Sequence, residues 1–133
     1  MRLVILESPY AGDVERNTEY ARACLADSLR RGEAPIASHL LYTQPGVLDD
    51  DDPGERELGI NAGHAWMRVA DAVVVYADYG TSQGMAEGIA RAQRYLLPVN
   101  VRYLGDEVET WMRTQPGQPT YHAYAHHSGD ADE

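Results

Sequence analysis

"DAVVVYADYGTSQGMAEGIARA", residues Asp71 to Ala92, decides the fold. Its first eight residues, Asp71–Asp78, have a continuous Val-rich centre, the pattern of a strand covered on both faces. Gly80 and Gly84 then bracket Thr81, Ser82 and Gln83 in front of an apolar-periodic run, "GMAEGIARAQRYLL", which predicts a helix stopped by Pro98.

The same alternation continues on either side. "RLVIL" (Arg2–Leu6) reads as a buried strand running into the turn "ESPYAGD". A helix from about Val14 to Arg31 places Val14, Tyr20 or Ala21, Cys24, Leu25 and Leu29 near one face, with Gly32 as its stop. "APIASHLLY" (Ala34–Tyr42) reads as a second strand and "TQPGVLDDDDPGE" as a long polar loop. After Pro53, Leu58, Ala62, Ala65, Trp66 and Val69 have helical spacing, and "PVNVRYL" (Pro98–Leu104) reads as a strand. The order β-α-β-α-β-α-β predicts an α/β, doubly wound domain: a mostly parallel sheet with helices on both faces and right-handed crossovers. "DEVETWMRTQ" is expected to form a last short helix, closing a domain over residues 1–115. Residues 116–133, rich in Pro, Gly, His and acid, are expected to be an extended or mobile tail.

With 133 residues and 44% hydrophobic content the chain matches one domain with a single sizeable core. The formal charge of −10 argues against a nucleic-acid polymer as partner, because binding its backbone rewards dense Lys and Arg. A small anion held by backbone N–H groups and one or two cations stays compatible with that charge. Four consecutive carboxylates, Asp49–Asp52, are read as a solvated loop rather than a metal site. The single cysteine, Cys24, lies in a helical stretch and is read as a small buried residue. An acid and a proline arrive too early in "MRLVILESPYAGD" for a signal peptide, and no run of about eighteen apolar residues suggests a membrane span. The expected location is therefore cytoplasmic.

In open parallel sheets a ligand sits outside the carboxyl ends of the strands. "ESPYAGDVER", "SHLLYTQ" and "ADYGTSQGMAE" reach that edge. The glycine-bracketed segment offers donors at a helix N-terminus, a seat for phosphate or carboxylate, while the simpler reading makes Thr81 or Ser82 a helix cap. Asp78 at a strand end and Glu87 on the next helix would place two carboxylates at one edge, one to attack or stabilise and one to handle a proton. That arrangement suits transfer at an anomeric carbon.

"SPYAGDVERN", "ADAVVVYAD" and "GTSQGMAEGIARA" together resemble the nucleoside 2-deoxyribosyltransferase-like superfamily, over Arg2 to about Tyr103. Within that group the chain is most similar to small uncharacterised bacterial and phage members, and it is related to nucleoside 5'-monophosphate N-glycosidases. The resemblance implies cleavage or exchange of an N-glycosidic bond in a nucleoside or, by preference, its 5'-monophosphate. It makes Glu87 the nucleophile, Asp78 the assisting acid, and Tyr10 and Gly12 neighbours of the sugar. Ser82 and Gly84, or Thr81 in place of the serine, become the phosphate seat, with Gly80 and Ser8 in the flanking loops. Arg16 reads either as a phosphate partner or as a helix-surface residue. His39 reads either as a base contact or as structural. Where the family carries a further acid, this chain has Gly63 and His64. Glu55 and Glu57 are within reach of the pocket but read more simply as a solvated first turn. Trp66 and Trp111 read as core or subunit-contact residues. The implied chemistry requires neither metal nor redox cofactor, and the family resemblance suggests a homodimer or larger assembly.

Two alternatives stand beside this reading. A nucleotide-sensing protein would reuse the same pocket without turnover. The phosphoribohydrolases related to cytokinin activation share a glycine-rich segment superficially like "GTSQG", but their paired-glycine and arginine pattern is missing.

Overall fold

A computed structural model describes residues 1–106. The expected last helix, Trp111 and the tail lie outside the described residues. Strands β1 (Arg2–Glu7), β2 (Glu33–Ile36), β3 (Ala72–Tyr76) and β4 (Val99–Arg102) form an all-parallel sheet in the order β2-β1-β3-β4. Helices α1 (Val14–Arg30), α2 (Ser38–Leu41), α3 (Pro53–Ala65) and α4 (Gln83–Arg94) connect them. A single 3-10 turn, Trp66–Arg68, follows α3.

The Val-rich strand behaves as its composition demands. Every residue of β3 from Ala72 to Tyr76 is at most 1% exposed, and successive side chains enter different cores. Val74 and Tyr76 join Val4, Leu6 and the α1 residues Tyr20, Ala23 and Cys24. Val73 and Val75 join Ile5, Met67 and the α4 residues Met85 and Ala92. Cys24 is fully buried, as expected of a packing residue.

The second strand is shorter than the apolar run suggested. β2 ends at Ile36, and Ser38–Leu41 turn into the one-turn helix α2, so His39 stands on a helix rather than at a strand end. Pro35 fits because β2 pairs only with β1 and a sheet edge does not need its missing N–H. The acidic loop is also given ordinary work. Asp52 caps α3 through Gly54 N–H, Asp50 pairs with Arg56 at 3.3 Å, and Asp49 accepts from Asp51 N–H.

α4 stops four residues short of Pro98. Leu96 adopts a left-handed φ of 59°, and the Leu97 N–H reaches back to the Ala92 carbonyl at 3.0 Å while Leu96 N–H bonds Gln93. These are the paired bonds of a Schellman end, with leucine where glycine is usual.

Asp78 holds the sheet end together. Its Oδ1 accepts from Tyr20 Oη at 2.5 Å and from Leu104 N–H at 2.9 Å, and its Oδ2 accepts from Gly105 N–H at 2.9 Å. The Asp78 N–H donates back to Tyr20 Oη at 2.9 Å. One carboxylate thus ties the end of β3 to α1 and to the chain leaving β4. Replacing it with alanine strands three donors, so Asp78→Ala is expected to lower stability by about 2–3 kcal/mol. A lowered urea midpoint would bear this out, and an unchanged midpoint would contradict it.

Candidate functional site

The strand order reverses between β1 and β3, since β1 leads to β2 on one side and the chain returns to β3 on the other. A cavity of about 420 Å³ opens near the carboxyl end of β1, within the usual range of small-molecule pockets, about 300–1,000 Å³. The end of β1 and its following loop supply Glu7, Ser8, Tyr10 and Gly12. α2 and the turn after it supply Ser38, His39, Tyr42 and Thr43. The α3 side supplies Asp50, Glu55, Arg56, Gly59, Gly63 and His64, and the start of α4 supplies Ser82, Gln83, Gly84 and Met85.

The structure brings six of the expected site residues into this wall: Ser8, Tyr10, Gly12, His39, Ser82 and Gly84. Ser8 is 5% exposed, and its Oγ lies 2.7 Å from His39 Nε2. Burial pushes the His39 imidazole down to about 4, so the pair is uncharged at neutral pH. The Tyr10 ring meets His39 edge-on with centroids 6.4 Å apart. Ser82 is the N-cap of α4, its Oγ accepting from Met85 N–H at 3.3 Å, so the capping reading holds and the hydroxyl keeps its own O–H as a donor.

Five expected residues do not line the cavity. Asp78 is the sheet-end tie described above, and Gly80 closes a turn by donating its N–H to the Ala77 carbonyl at a φ of 84°. Thr81 is exposed outside the wall. Arg16 is buried with its guanidinium 4.3 Å from the Tyr79 ring centroid and its Nη2 on Asn17 Oδ1. Glu87 is exposed on α4; its charge favours protonation of His64, Arg91 opposes it, and burial opposes it most, leaving His64 below its ordinary value. The reason is helical phase. The side of α4 that meets the sheet carries Met85, Gly88 and Ala92, and Glu87 falls off that side.

Of the three carboxyls in the cavity wall, Glu7, Asp50 and Glu55, the one at the sheet end is Glu7, which falls in the expected turn "ESPYAGD". It is the last residue of β1, half-buried, and shares a face with Ile5 toward α4. Among the described residues its side chain has neither a hydrogen bond nor an ion pair. A Cβ on Gly88 would sit 2.3 Å from Glu7 Oε2, so only glycine at this point of α4 leaves the carboxyl its place. Removal from water without a partner pushes the group from 4.5 up to about 8. It is therefore mostly protonated at neutral pH. α3 approaches α2 by the same device, since a Cβ on Gly63 would meet Ser38 Oγ at 2.4 Å.

The outer wall is more conventional. Glu55 Oε1 accepts from Asp49 N–H at 2.6 Å, and Tyr42 Oη accepts from Trp66 Nε1 at 3.0 Å. Of the two glutamates weighed in the first turn of α3, Glu55 lines the cavity and Glu57 does not. His64 Nδ1 is buried with no hydrogen-bond partner among the described residues. No group of three potential metal ligands occurs among the described residues, nor does any described helix have the length and apolarity to cross a membrane.

Fold and cavity together define a parallel α/β domain with a crevice of about 420 Å³ at the sheet's reversal point. The chain belongs to the family described as a domain of unknown function, DUF7768, whose model matches residues 2–102. No curated protein matches the chain.

The Glu7 shift contributes to the pH response of folding. An acid whose pKa is higher in the folded protein adds stability that is complete below about 4.5 and lost as pH rises through about 8. Between about 4.5 and 6.5 the lowered His39, protonated in the unfolded chain and neutral in the fold, offsets that loss, so unfolding free energy is expected to fall mainly between about 6.5 and 8, and Glu7→Gln to flatten that decline. An equal decline in wild type and variant would show that another group is responsible.

Proposed function

We propose that this protein cleaves the N-glycosidic bond of a nucleoside or nucleoside 5'-monophosphate bound in the cavity, with Glu7 as its proton donor. The motif resemblance supplies the reaction class. The observation that carries the residue assignment is a carboxyl group in the cavity wall, unpartnered and held protonated at neutral pH.

Such a group fits the demand of the reaction, because a base leaves an anomeric carbon more readily when its nitrogen is protonated. In the proposed cycle Glu7 gives its proton to the departing nitrogen as the C1'–N bond breaks, and the bonding pair leaves with the base. Water adds at C1', and its proton returns to the Glu7 carboxylate. One nucleoside and one water become free sugar and free base. The Ser8–His39 pair and Tyr10 offer polar contacts to the sugar, and the start of α4 closes the opposite wall. A small-molecule substrate, a cytoplasmic setting and a homo-oligomeric assembly belong to the same proposal.

One observation favours a second reading, binding without turnover. The other carboxylates of the wall already have partners, Asp50 on Arg56 and Glu55 on the Asp49 N–H, so none stands ready to support a developing oxocarbenium ion. A nucleoside-sensing module would need no such group.

Chromatography of free base released from a panel of nucleosides and 5'-monophosphates separates these readings. Wild-type protein is expected to release base from at least one, Glu7→Gln to lose about 10²–10⁴-fold in rate, and Glu87→Gln to retain most of it. Loss confined to Glu87→Gln would return the role to that residue. Binding with no release by the wild type would favour the sensor.

A further inference from the structure

The cavity's charged groups speak to the substrate's own charge. Six titratable acids and imidazoles or cations face it: Glu7, His39, Asp50, Glu55, Arg56 and His64. At neutral pH burial keeps Glu7 protonated and both histidines neutral. The charged remainder is Asp50, Glu55 and Arg56, two negative groups against one positive. The one cation is already turned toward Asp50, its Nη1 at 3.3 Å from Oδ2.

The cation and the threonine that would have held a phosphate are elsewhere. Arg16 is packed against Tyr79 outside the wall, and Thr81 is exposed beyond it. Ser82 Oγ caps α4. The first turn of α4 contributes backbone donors, yet the field around them comes from a wall with a net negative charge and a chain of formal charge −10. What the wall offers in quantity is neutral polarity: the Ser8 and Thr43 hydroxyls, the Tyr10 and Tyr42 rings, His39 and Gln83. Those groups suit sugar hydroxyls and a heterocyclic base.

We propose that the cavity takes the uncharged nucleoside and discriminates against its 5'-monophosphate, with Asp50 and Glu55 as the discriminating residues. This rests on the nucleoside reading given above and narrows it. Each carboxylate repels a phosphate without costing a neutral ligand anything comparable, so selection comes from repulsion as much as from fit.

The test is calorimetric, on matched pairs of nucleoside and 5'-monophosphate. The Glu7→Gln protein is used so that turnover does not consume the ligand, and glutamine keeps the neutral state of the side chain it replaces. The nucleoside is expected to bind about tenfold tighter or more, the scale of one unit charge acting across a partly solvated site. Asp50→Asn combined with Glu55→Gln should close the gap by strengthening the monophosphate alone, and Arg56→Ala should widen it. Tighter binding of the monophosphate, abolished by Arg56→Ala, would overturn the inference while leaving the glycosidase reading intact. Base release absent from wild type, with the nucleoside preference still present, would sink the glycosidase reading and leave the ligand assignment standing. Binding of neither member of any pair would overturn this inference.

Discussion

Between β1 and β3 the chain reverses the direction in which it builds the sheet, and the parallel pairing of Val4–Glu7 with Ala72–Val75 holds those two strands side by side at the centre. Helices cannot cover the point where successive crossovers depart in opposite directions, so a crevice remains at the carboxyl edge. Everything proposed for the site follows from that gap. Its floor is the end of β1, and its far wall is the start of the helix that follows β3.

Glu7 occupies the junction of those two elements. A strand that ended one residue earlier would release its carboxyl to water, and a side chain at position 88 would displace it. Pairing with β3 and the bare Gly88 backbone together hold the acid half-buried, with no hydrogen-bond or ion-pair partner among the described residues. Burying a charged carboxyl without a partner is costly, so the group keeps its proton instead. The structure elsewhere shows the contrasting solution. Glu33 is buried, but Arg102 and Ser28 bond it and hold it down to about 2. One acid is matched and ionised, the other unmatched and neutral. Unmatched polarity inside a cavity marks a place for a ligand more often than a packing role.

Much of the fold was legible because two periods are written plainly in the chain. The Val-rich run of Asp71–Asp78 and the apolar run of Arg2–Leu6 fixed the central strands, and Gly32 and the caps fixed where helices begin and end. The boundary of β2 was not legible. "SHLLY" is apolar enough for a strand, yet Ser38–Leu41 form a helix that meets α3 closely at Gly63, a long-range contact that local pattern does not reveal. The end of α4 was similarly obscured, because Leu96 takes a conformation that sequence reading reserves for glycine. For the site, the loop residues Ser8, Tyr10 and Gly12 were visible from their place after a strand. The two acids singled out, Asp78 and Glu87, lie outside the cavity wall. Asp78 and Glu87 follow from a shared sheet edge and from the motif resemblance, whereas which carboxyl enters the cavity depends on which way one strand end and one helix face turn. Gly88 carried the missing signal: a glycine inside an amphipathic helix, on its buried side, implies that something from the neighbouring strand approaches closely.

The central claim is that the Glu7 carboxyl faces the cavity protonated. The most direct measurement is a carbon-13 NMR titration of the glutamate side-chain carboxyls, with the Glu7 resonance assigned by its absence from Glu7→Gln. The account predicts a midpoint near 8 for that one resonance. A midpoint near 4.5, the ordinary value for a solvated glutamate, would contradict it.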